Sequence, residues 1–236
     1  MRLGPLAPRP GPSEDVATAL TAAVAALGQR PAVTVLLPDA RHEQGFASLA
    51  GWAAKGAHLL RDELDLGPGD VLGVDAPPSW PLAAVALAAW WAGVTLGPVA
   101  PGRPAVVHEG RRDPGGEVLW LGDAVDGGPL SAPSRGEAWT SAAIPYPDRP
   151  PAPGAEPDLA AVIDADGAVT TQRELLTAWR EDAGVLGLRG GVERPSLPVI
   201  GALAGRPLVT GAATVVVADG VAADPVTAAE RIGRWA

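Results

Sequence analysis

The chain contains no cysteine, a single lysine (Lys55), and only one tyrosine and one phenylalanine. The absence of cysteine excludes disulfides, thiolate metal sites and a cysteine nucleophile. Basic residues number 18 against 27 acidic ones, which gives a formal net charge of −9. Nucleic acids and anionic membranes attract proteins through clustered cations, so this charge argues against both as partners.

No targeting or membrane-spanning segment is indicated. The first twelve residues are rich in proline and glycine and lack the apolar core and cleavage site of a secretory signal. We therefore expect residues 1–12 to form a flexible arm and the protein to be cytoplasmic. The long uncharged run from Ala76 to Gly102 is rich in alanine and glycine and is interrupted by prolines. These features favour a buried β-α-β unit over a membrane span.

This uncharged run lies at the centre of the predicted fold. Val71–Val74 is a short apolar strand, Trp80–Ala92 has the length and alanine content of a helix, and Val94–Val99 is a second strand. Because the segment from Ala76 to Gly102 carries no charge, it has to be covered by the rest of the chain.

Further elements alternate along the chain. Helices are predicted at 13–28, 46–60, 134–142, 171–186, 199–203 and 224–235, and strands at 33–37, 105–108, 118–121, 159–163, 168–170 and 213–218. The capping box from Thr171 to Glu174 marks one helix start. Strands with continuous apolar runs that alternate with helices predict an α/β fold with a mainly parallel sheet or sheets flanked by helices.

A proline-rich segment divides the sequence. Residues 145–157 hold six prolines, a composition typical of an extended connector. We therefore predict a first α/β subdomain at 13–144, a linker at 145–157 and a second α/β subdomain at 158–236.

Four segments, Gln44–Val74, Ala88–Gly102, Asp158–Leu176 and Arg206–Ile232, carry a resemblance to a known family. They resemble parts of the adenylate-forming superfamily of acyl-CoA synthetases, luciferases and peptide-synthetase adenylation domains. Gln44–Val74 resembles its first conserved block and Ala88–Gly102 the following one. Asp158–Leu176 lies where the family has its phosphate loop, and Arg206–Ile232 resembles a later strand and helix. The resemblance implies the fold of the N-terminal subdomains of acyl-CoA synthetases, in a short member that matches only the first part of the large domain.

The position of the phosphate loop departs from the family pattern. Active members have a Thr/Ser/Gly-rich loop ending in Pro-Lys-Gly, whose amides and lysine bind the ATP phosphates. The degenerate counterpart here comprises Asp164, Asp166, Gly167, Thr170 and Thr171, with two carboxylates and no lysine. A carboxylate about 4 Å from a phosphate charge costs about 1 kcal/mol in water and about 4 kcal/mol in a surface cleft. We therefore expect no cofactor, with ATP or AMP binding left open as a disfavoured alternative.

The resemblance also implies that other parts of an active enzyme are absent. The sequence stops before the family's adenine-binding block, its ribose-binding aspartate and its C-terminal lid with the catalytic lysine, and Lys55 lies in the first block. The expected function is that of a catalytically inactive binding or partner-interaction module. The alternative is a half-synthetase that a partner completes by supplying the lid.

Other candidate residues have simpler explanations beside the functional ones. His42-Glu43 and His108-Glu109 could form two halves of a metal site, but they lack the spacing of a zinc-binding helix and are expected to be surface residues. His58 could bind an anion together with Lys55 and Arg61, or these side chains could form a solvated helix flank. Asp164 and Asp166 could act as an acid/base pair or hold a cation, whereas an Asp-Gly turn between strands also explains them.

Two catalytic or cofactor-binding motifs have no match in the sequence. The glycines between Gly184 and Gly191 follow a predicted helix, so they do not form a dinucleotide fingerprint. No serine stands in a Gly-x-Ser-x-Gly motif.

Among the eight tryptophans, most are expected in the core. Any that are exposed would anchor a homodimer or another protein partner.

Overall fold

The computed structural model describes residues 13–124, 127–182, 184–189, 197–218, 220–222, 226, 230 and 232–235. The helices are α1 (Val16–Leu27), α2 (Phe46–Asp62), α3 (Trp80–Ala92), α4 (Trp139–Ala143), α5 (Gln172–Thr177), α6 (Leu197–Ile200) and α7 (Arg206–Thr210). A π-helical turn, Gly201–Gly205, joins α6 to α7. The strands are β1 (Pro31–Leu36), β2 (Arg41–Gly45), β3 (Val71–Asp75), β4 (Thr95–Gly97), β5 (Ala105–His108), β6 (Val118–Leu121), β7 (Glu137–Ala138), β8 (Ala160–Ile163), β9 (Val169–Thr171), β10 (Val185–Arg189), β11 (Thr214–Val217) and β12 (Ile232–Trp235).

The strands form two mainly parallel sheets. The seven-stranded sheet has the order β7-β6-β5-β3-β4-β8-β9, and among its described strands only β8 and β9 pair antiparallel. The five-stranded sheet has the order β12-β10-β11-β1-β2, and within the described part of the chain only β1 and β2 pair antiparallel there. The predicted α/β fold with mainly parallel sheets flanked by helices is confirmed.

The predicted β-α-β unit is also present, as β3, α3 and β4. The side chain of Ser79 caps α3 by accepting a hydrogen bond from the Leu82 amide, and Pro81 occupies its first turn, where a missing N–H is tolerated. Every residue of α3 is buried, and the helix contacts β1 of one sheet and β4 of the other. The uncharged run is therefore explained by a helix enclosed between two sheets.

Among the residues that the structure describes, no helix has both the length and the apolar character needed to cross a membrane. The uncharged run contributes only the 13 residues of α3, which span about 20 Å at the rise of an α-helix.

Both sheets combine strands from either side of the proline-rich connector. β8 and β9 follow the connector and lie in one sheet with β3, β4, β5, β6 and β7, which precede it. β1 and β2 precede the connector and lie in the other sheet with β10, β11 and β12, which follow it. The subdomain division at 145–157 stays a prediction, and the arm at 1–12 lies outside the described residues.

Two predicted helices differ from the structure. The sequence predicts that the helix opened by Thr171 reaches about Leu186, but α5 ends at Thr177 and residues 185–189 form β10. The final helix was expected to reach Trp235, but Ile232–Trp235 forms β12, and most residues just before it lie outside the described part. In both cases parallel pairing within the five-stranded sheet decides the structure of a short apolar segment whose periodicity is ambiguous.

Candidate functional site

The residues at the predicted phosphate-loop position form a tight hairpin turn between β8 and β9. One carboxylate oxygen of Asp164 accepts hydrogen bonds from the amides of Asp166 and Ala168, at 2.9 and 2.8 Å. The backbone closes the turn through the Asp164 amide and the Ala168 carbonyl, at 3.0 Å. Gly167 has a φ of +84°, a conformation that glycine adopts without strain. The turn is exposed, and two of its amide donors are already bound to its own aspartate.

The two threonines extend this arrangement toward α5. Thr170 lies in β9 opposite Val162, and Thr171 is the N-cap of α5. The hydroxyl of Thr171 accepts from the Glu174 amide, while the Thr171 amide donates to the Glu174 carboxylate at 2.9 Å. Hydrogen bonds from the backbone and side chain of Thr171 lower the pKa of Glu174. The predicted capping box is confirmed, and the assignment of these residues to a degenerate phosphate loop stays a prediction.

The proline-rich connector is fastened to α2 by basic side chains. Lys55 donates from Nζ to the Tyr146 carbonyl at 2.6 Å, and Arg61 donates to the Ala152 carbonyl at 3.3 Å. A ring nitrogen of His58 lies 3.2 Å from the Arg149 carbonyl. The three residues that were considered as an anion site therefore face backbone carbonyls of the connector.

Aromatic side chains hold the same segment in place. Trp91 donates from its indole nitrogen to the Pro151 carbonyl at 3.0 Å. The ring of Tyr146 stacks on that of His58 with an interplanar angle of 4°, and its hydroxyl donates to Glu63 at 2.8 Å. The pKa of Tyr146 is raised to about 12, mainly by desolvation and to a smaller extent by the hydrogen bond to Glu63. The connector is thus a packed strap across α2 and α3.

Replacing Lys55 with methionine is expected to loosen this strap. Methionine keeps most of the aliphatic stem but removes the ammonium donor to Tyr146, so we expect a loss of about 1–1.5 kcal/mol in the free energy of unfolding. Hydrogen exchange at the Tyr146 and Gly154 amides should become faster. Arg30→Met removes an exposed cation and serves as the control. Equal effects of the two substitutions would show that the Lys55 contact contributes nothing.

The two His-Glu pairs do not combine into one site, because His42 lies in β2 of the five-stranded sheet and His108 in β5 of the other. His108 instead approaches Asp123, with 3.3 Å between Nε2 and Oδ1. Together with Glu109 these side chains place one potential ligand atom each within 4.8 Å of the others.

Within the cluster of His108, Glu109 and Asp123, the hydrogen bonds of Glu109 hold a loop in place. The two carboxylate oxygens of Glu109 accept hydrogen bonds from the Asp123 amide at 3.0 Å and from the Leu130 amide at 2.9 Å. A cation would have to compete with both amides for this carboxylate. The Glu109 carboxylate therefore has a structural role, because it holds the segment that follows β6.

That segment borders an open surface pocket of about 420 Å³, formed with β7 and the start of α4 and lined by parts of 128–133 and 136–141. Its hydroxyl-bearing residues are Ser131, Thr140 and Ser141, and its carboxylate is that of Glu137. Thr140 is 2% exposed, and its hydroxyl has no hydrogen-bond partner in the described chain. No motif in the sequence indicates this pocket.

Comparison with solved structures identifies the fold. The N-terminal domain of FACL13 from Mycobacterium tuberculosis superposes with a TM-score of 0.68 over 92% of this chain, at 14% identity. An acyl-CoA synthetase from Brucella canis gives 0.64 over 86% at 17% identity, and coronafacic acid ligase from Pectobacterium brasiliense gives 0.66 over 87% at 12%. The chain has the fold of acyl-CoA synthetase N-terminal domains.

The match with these acyl-CoA synthetase structures is partial in length. The chain covers 61% of the FACL13 domain, 43% of the Brucella canis enzyme and 46% of coronafacic acid ligase. No protein-family model matches the sequence. A curated protein of Mycobacterium tuberculosis, described as a TIGR03089 family protein, is 45% identical over 53 residues. These residues are 22% of both chains, so the two proteins are of similar length.

The tryptophans contribute mainly to the core of this acyl-CoA synthetase-type fold, as predicted. Five are buried, three (Trp52, Trp179 and Trp235) are half-buried, and none of the eight is exposed. Trp52 contacts two buried indoles at centroid distances of 5.5 and 5.6 Å. Association through exposed tryptophans stays a prediction that only the half-buried three could carry.

Two buried polar residues were missed by sequence reasoning. Gln172 is 0% exposed and joins three helices, because its side chain accepts from the Val16 amide at 2.9 Å and donates to the Trp90 carbonyl at 3.0 Å. Arg206 is also 0% exposed and forms an ion pair with Asp182. Their partners lie far away in the sequence, so no local pattern indicated either residue.

Proposed function

We propose that this chain is a binding protein built on the acyl-CoA synthetase fold that does not form acyl adenylates by itself. The observation that supports this is the hairpin at Asp164–Ala168. Where the family resemblance expects a phosphate loop, a short turn directs two amide donors to its own aspartate. Those donors are not available to a phosphate oxygen.

The charges near the hairpin support the same proposal. Asp164 and Asp166 would each repel a phosphate charge at about 4 Å, by about 1 kcal/mol in water and about 4 kcal/mol in a surface cleft. Lys55, the only lysine, binds connector carbonyls and cannot compensate. We propose that the chain binds a protein partner, a second copy of itself or a small acyl or nucleotide-like ligand. This binding is proposed to take place in the cytoplasm.

Calorimetry with ATP and Mg²⁺, followed by pyrophosphate exchange with a panel of carboxylic acids, tests this proposal. We expect no saturable heat and no exchange above a protein-free blank, because the hairpin at 164–168 carries two carboxylates and neither lysine nor arginine. A full-length acyl-CoA synthetase assayed in parallel shows that the conditions support turnover. Saturable ATP binding, or acid-dependent exchange by the isolated chain, would refute the proposal.

The second candidate function is a half-synthetase completed by another polypeptide. It is favoured by one observation: the chain covers only 43–61% of the length of the acyl-CoA synthetase structures that it resembles. Affinity purification from the native host, followed by the exchange assay on the complex, separates the two candidates. A co-purifying protein with a lysine-bearing lid and acid-dependent exchange would establish the half-synthetase.

A further inference from the structure

We propose that His58 is a proton-dependent clasp, which fastens the proline-rich connector to α2 while both of its ring nitrogens are protonated and loosens it when one proton is lost. This inference goes beyond the proposed function, because it concerns the attachment of the connector and not the hairpin at 164–168. Its outcome is independent of whether ATP, a partner or a second copy of the chain binds.

The first argument is that His58 lies between two oxygen atoms that accept hydrogen bonds and do not donate them. Its Nδ1 atom is 3.4 Å from a carboxylate oxygen of Asp62, one turn further along α2. Its Nε2 atom is 3.2 Å from the Arg149 carbonyl oxygen of the connector. A neutral imidazole has one N–H group and one lone pair, whereas the imidazolium ion donates from both nitrogens. Only the doubly protonated ring therefore bonds to Asp62 and to the connector at the same time.

His108 has the opposite arrangement. Its Nδ1 atom accepts a hydrogen bond from the Gly110 amide at 3.2 Å, so this nitrogen carries a lone pair. Its Nε2 atom is 3.3 Å from a carboxylate oxygen of Asp123, a contact that needs a single N–H group. The neutral ring of His108 satisfies both contacts. The two histidines therefore fit different protonation states, and His108 serves as the matched control.

The aromatic neighbour of His58 favours the charged ring. The His58 side chain is half-buried, and its ring stacks on that of Tyr146 with 6.1 Å between the centroids and an interplanar angle of 4°. The Tyr146 hydroxyl donates to the Glu63 carboxylate at 2.8 Å. A cation is attracted to the face of an aromatic ring, and the carboxylates of Asp62 and Glu63 add negative charge on the same helix.

Other charged groups also surround the ring. The residues of α2 and the connector near it that are charged or can titrate are Lys55, Arg61, Asp62, Glu63, Tyr146, Asp148 and Arg149. Lys55 and Arg61 oppose the added proton, since both are cations that donate to connector carbonyls. Among all these side-chain types, histidine is the one that changes its charge near neutral pH. A change in the attachment of the connector around neutral pH is therefore assigned to His58.

Loss of one proton acts on the connector contact first. The neutral ring keeps one N–H group, and a hydrogen bond to a carboxylate is stronger than one to a backbone carbonyl. The remaining proton therefore stays toward Asp62, and the ring turns a lone pair toward the Arg149 carbonyl oxygen. The connector is thus held more tightly at low pH and less tightly as the pH rises.

Hydrogen exchange in the full chain, followed by NMR at about pH 5.5 and about pH 8.5, tests the proposal. The reporters are the amides of Tyr146 and Gly154, which flank Arg149 and donate to the carbonyls of Ala143 and Trp91. After correction for the intrinsic exchange rate, we expect protection to be roughly three- to tenfold lower at the higher pH, as for the loss of one hydrogen bond. Equal protection at the two pH values would overturn the proposal.

Two histidine substitutions assign the effect to one ring. His58→Gln removes the titrating group next to the connector, so we expect the same protection of the two reporter amides at both pH values. His108→Gln removes the control histidine and should leave the full difference between the two pH values. A difference of unchanged size in His58→Gln would contradict the assignment.

Asp62→Asn separates a clasp from a histidine that only occupies space. A side-chain amide donates as well as accepts, so the neutral His58 ring is able to accept from it at Nδ1 while it donates to the Arg149 carbonyl. We expect the pH dependence of the connector to shrink in this variant, although the imidazole NMR signals of His58 still titrate. An undiminished pH dependence in Asp62→Asn would show that the double contact of the ring is not what fastens the connector.

Discussion

Arg206→Met is expected to lower the free energy of unfolding by about 3–5 kcal/mol, because it breaks a buried and hydrogen-bonded ion pair. The guanidinium of Arg206 is fully buried and donates to the Asp182 carboxylate and the Gly184 carbonyl. It also reaches the carbonyls of Ala212 and Ala213, at 3.4 and 3.3 Å. Burial lowers the pKa of Arg206, and Asp182 opposes this effect. Methionine fills part of the volume but leaves four oxygen acceptors without this donor.

The control for this prediction uses the same carboxylate. Arg234 lies 3.2 Å from the same Asp182 oxygen, but its side chain is 52% exposed. Arg234→Met should therefore cost no more than about 1 kcal/mol, as is usual for surface ion pairs. Urea denaturation of both variants provides the measurement. Similar losses in the two variants would show that burial does not set the strength of the Arg206 contact.

The β3-α3-β4 unit shows how much of the fold the sequence could predict. Its signals are local: no charge between Ala76 and Gly102, a serine that caps the helix, and a glycine that ends it. Local signals of this kind depend only on neighbouring residues, so a single sequence is sufficient. The same holds for the Asp164–Ala168 turn and the capping box at Thr171.

The second half of the chain could not be predicted as well, because longer-range pairing decides it. A capping box marks the start of α5, but no equally clear signal marks its end, and the segment at 185–189 becomes a strand only through β11 and β12. The Arg206–Asp182 pair similarly joins positions 24 residues apart. Such contacts follow from the sheet order, which residue spacing alone does not give.

The candidate sites also differ in how far local sequence signals could predict them. The hairpin residues were found because a family resemblance pointed to their position. The surface pocket at 128–141 was not found, since its walls come from a turn-rich segment, a two-residue strand and a five-residue helix. The basic residues of α2 were recognised as a group, but their binding to connector carbonyls depends on the path of a segment about 90 residues later in the chain.

A substitution at the C-terminal end of α3 is expected to cause the second large loss in the free energy of unfolding. Gly93 has a φ of +79°, and a Cβ atom there would lie 2.5 Å from the Gly154 carbonyl oxygen of the connector. The left-handed conformation costs a non-glycine residue about 1–2 kcal/mol, and overpacking adds about 1–3 kcal/mol. Gly93→Ala is therefore expected to lower the free energy of unfolding by about 2–5 kcal/mol.

Gly167→Ala separates the two causes in this prediction. Gly167 has a similar φ of +84°, but nothing lies within 4 Å of its Cβ position, so only the conformational cost of about 1–2 kcal/mol applies. The difference between the two variants in urea denaturation measures the contact between α3 and the connector. Faster exchange of the Gly154 amide, which donates to the Trp91 carbonyl at 2.8 Å, should accompany Gly93→Ala alone. Equal losses with unchanged exchange would mean that the connector moves aside freely, and the description of it as a packed strap would then be wrong.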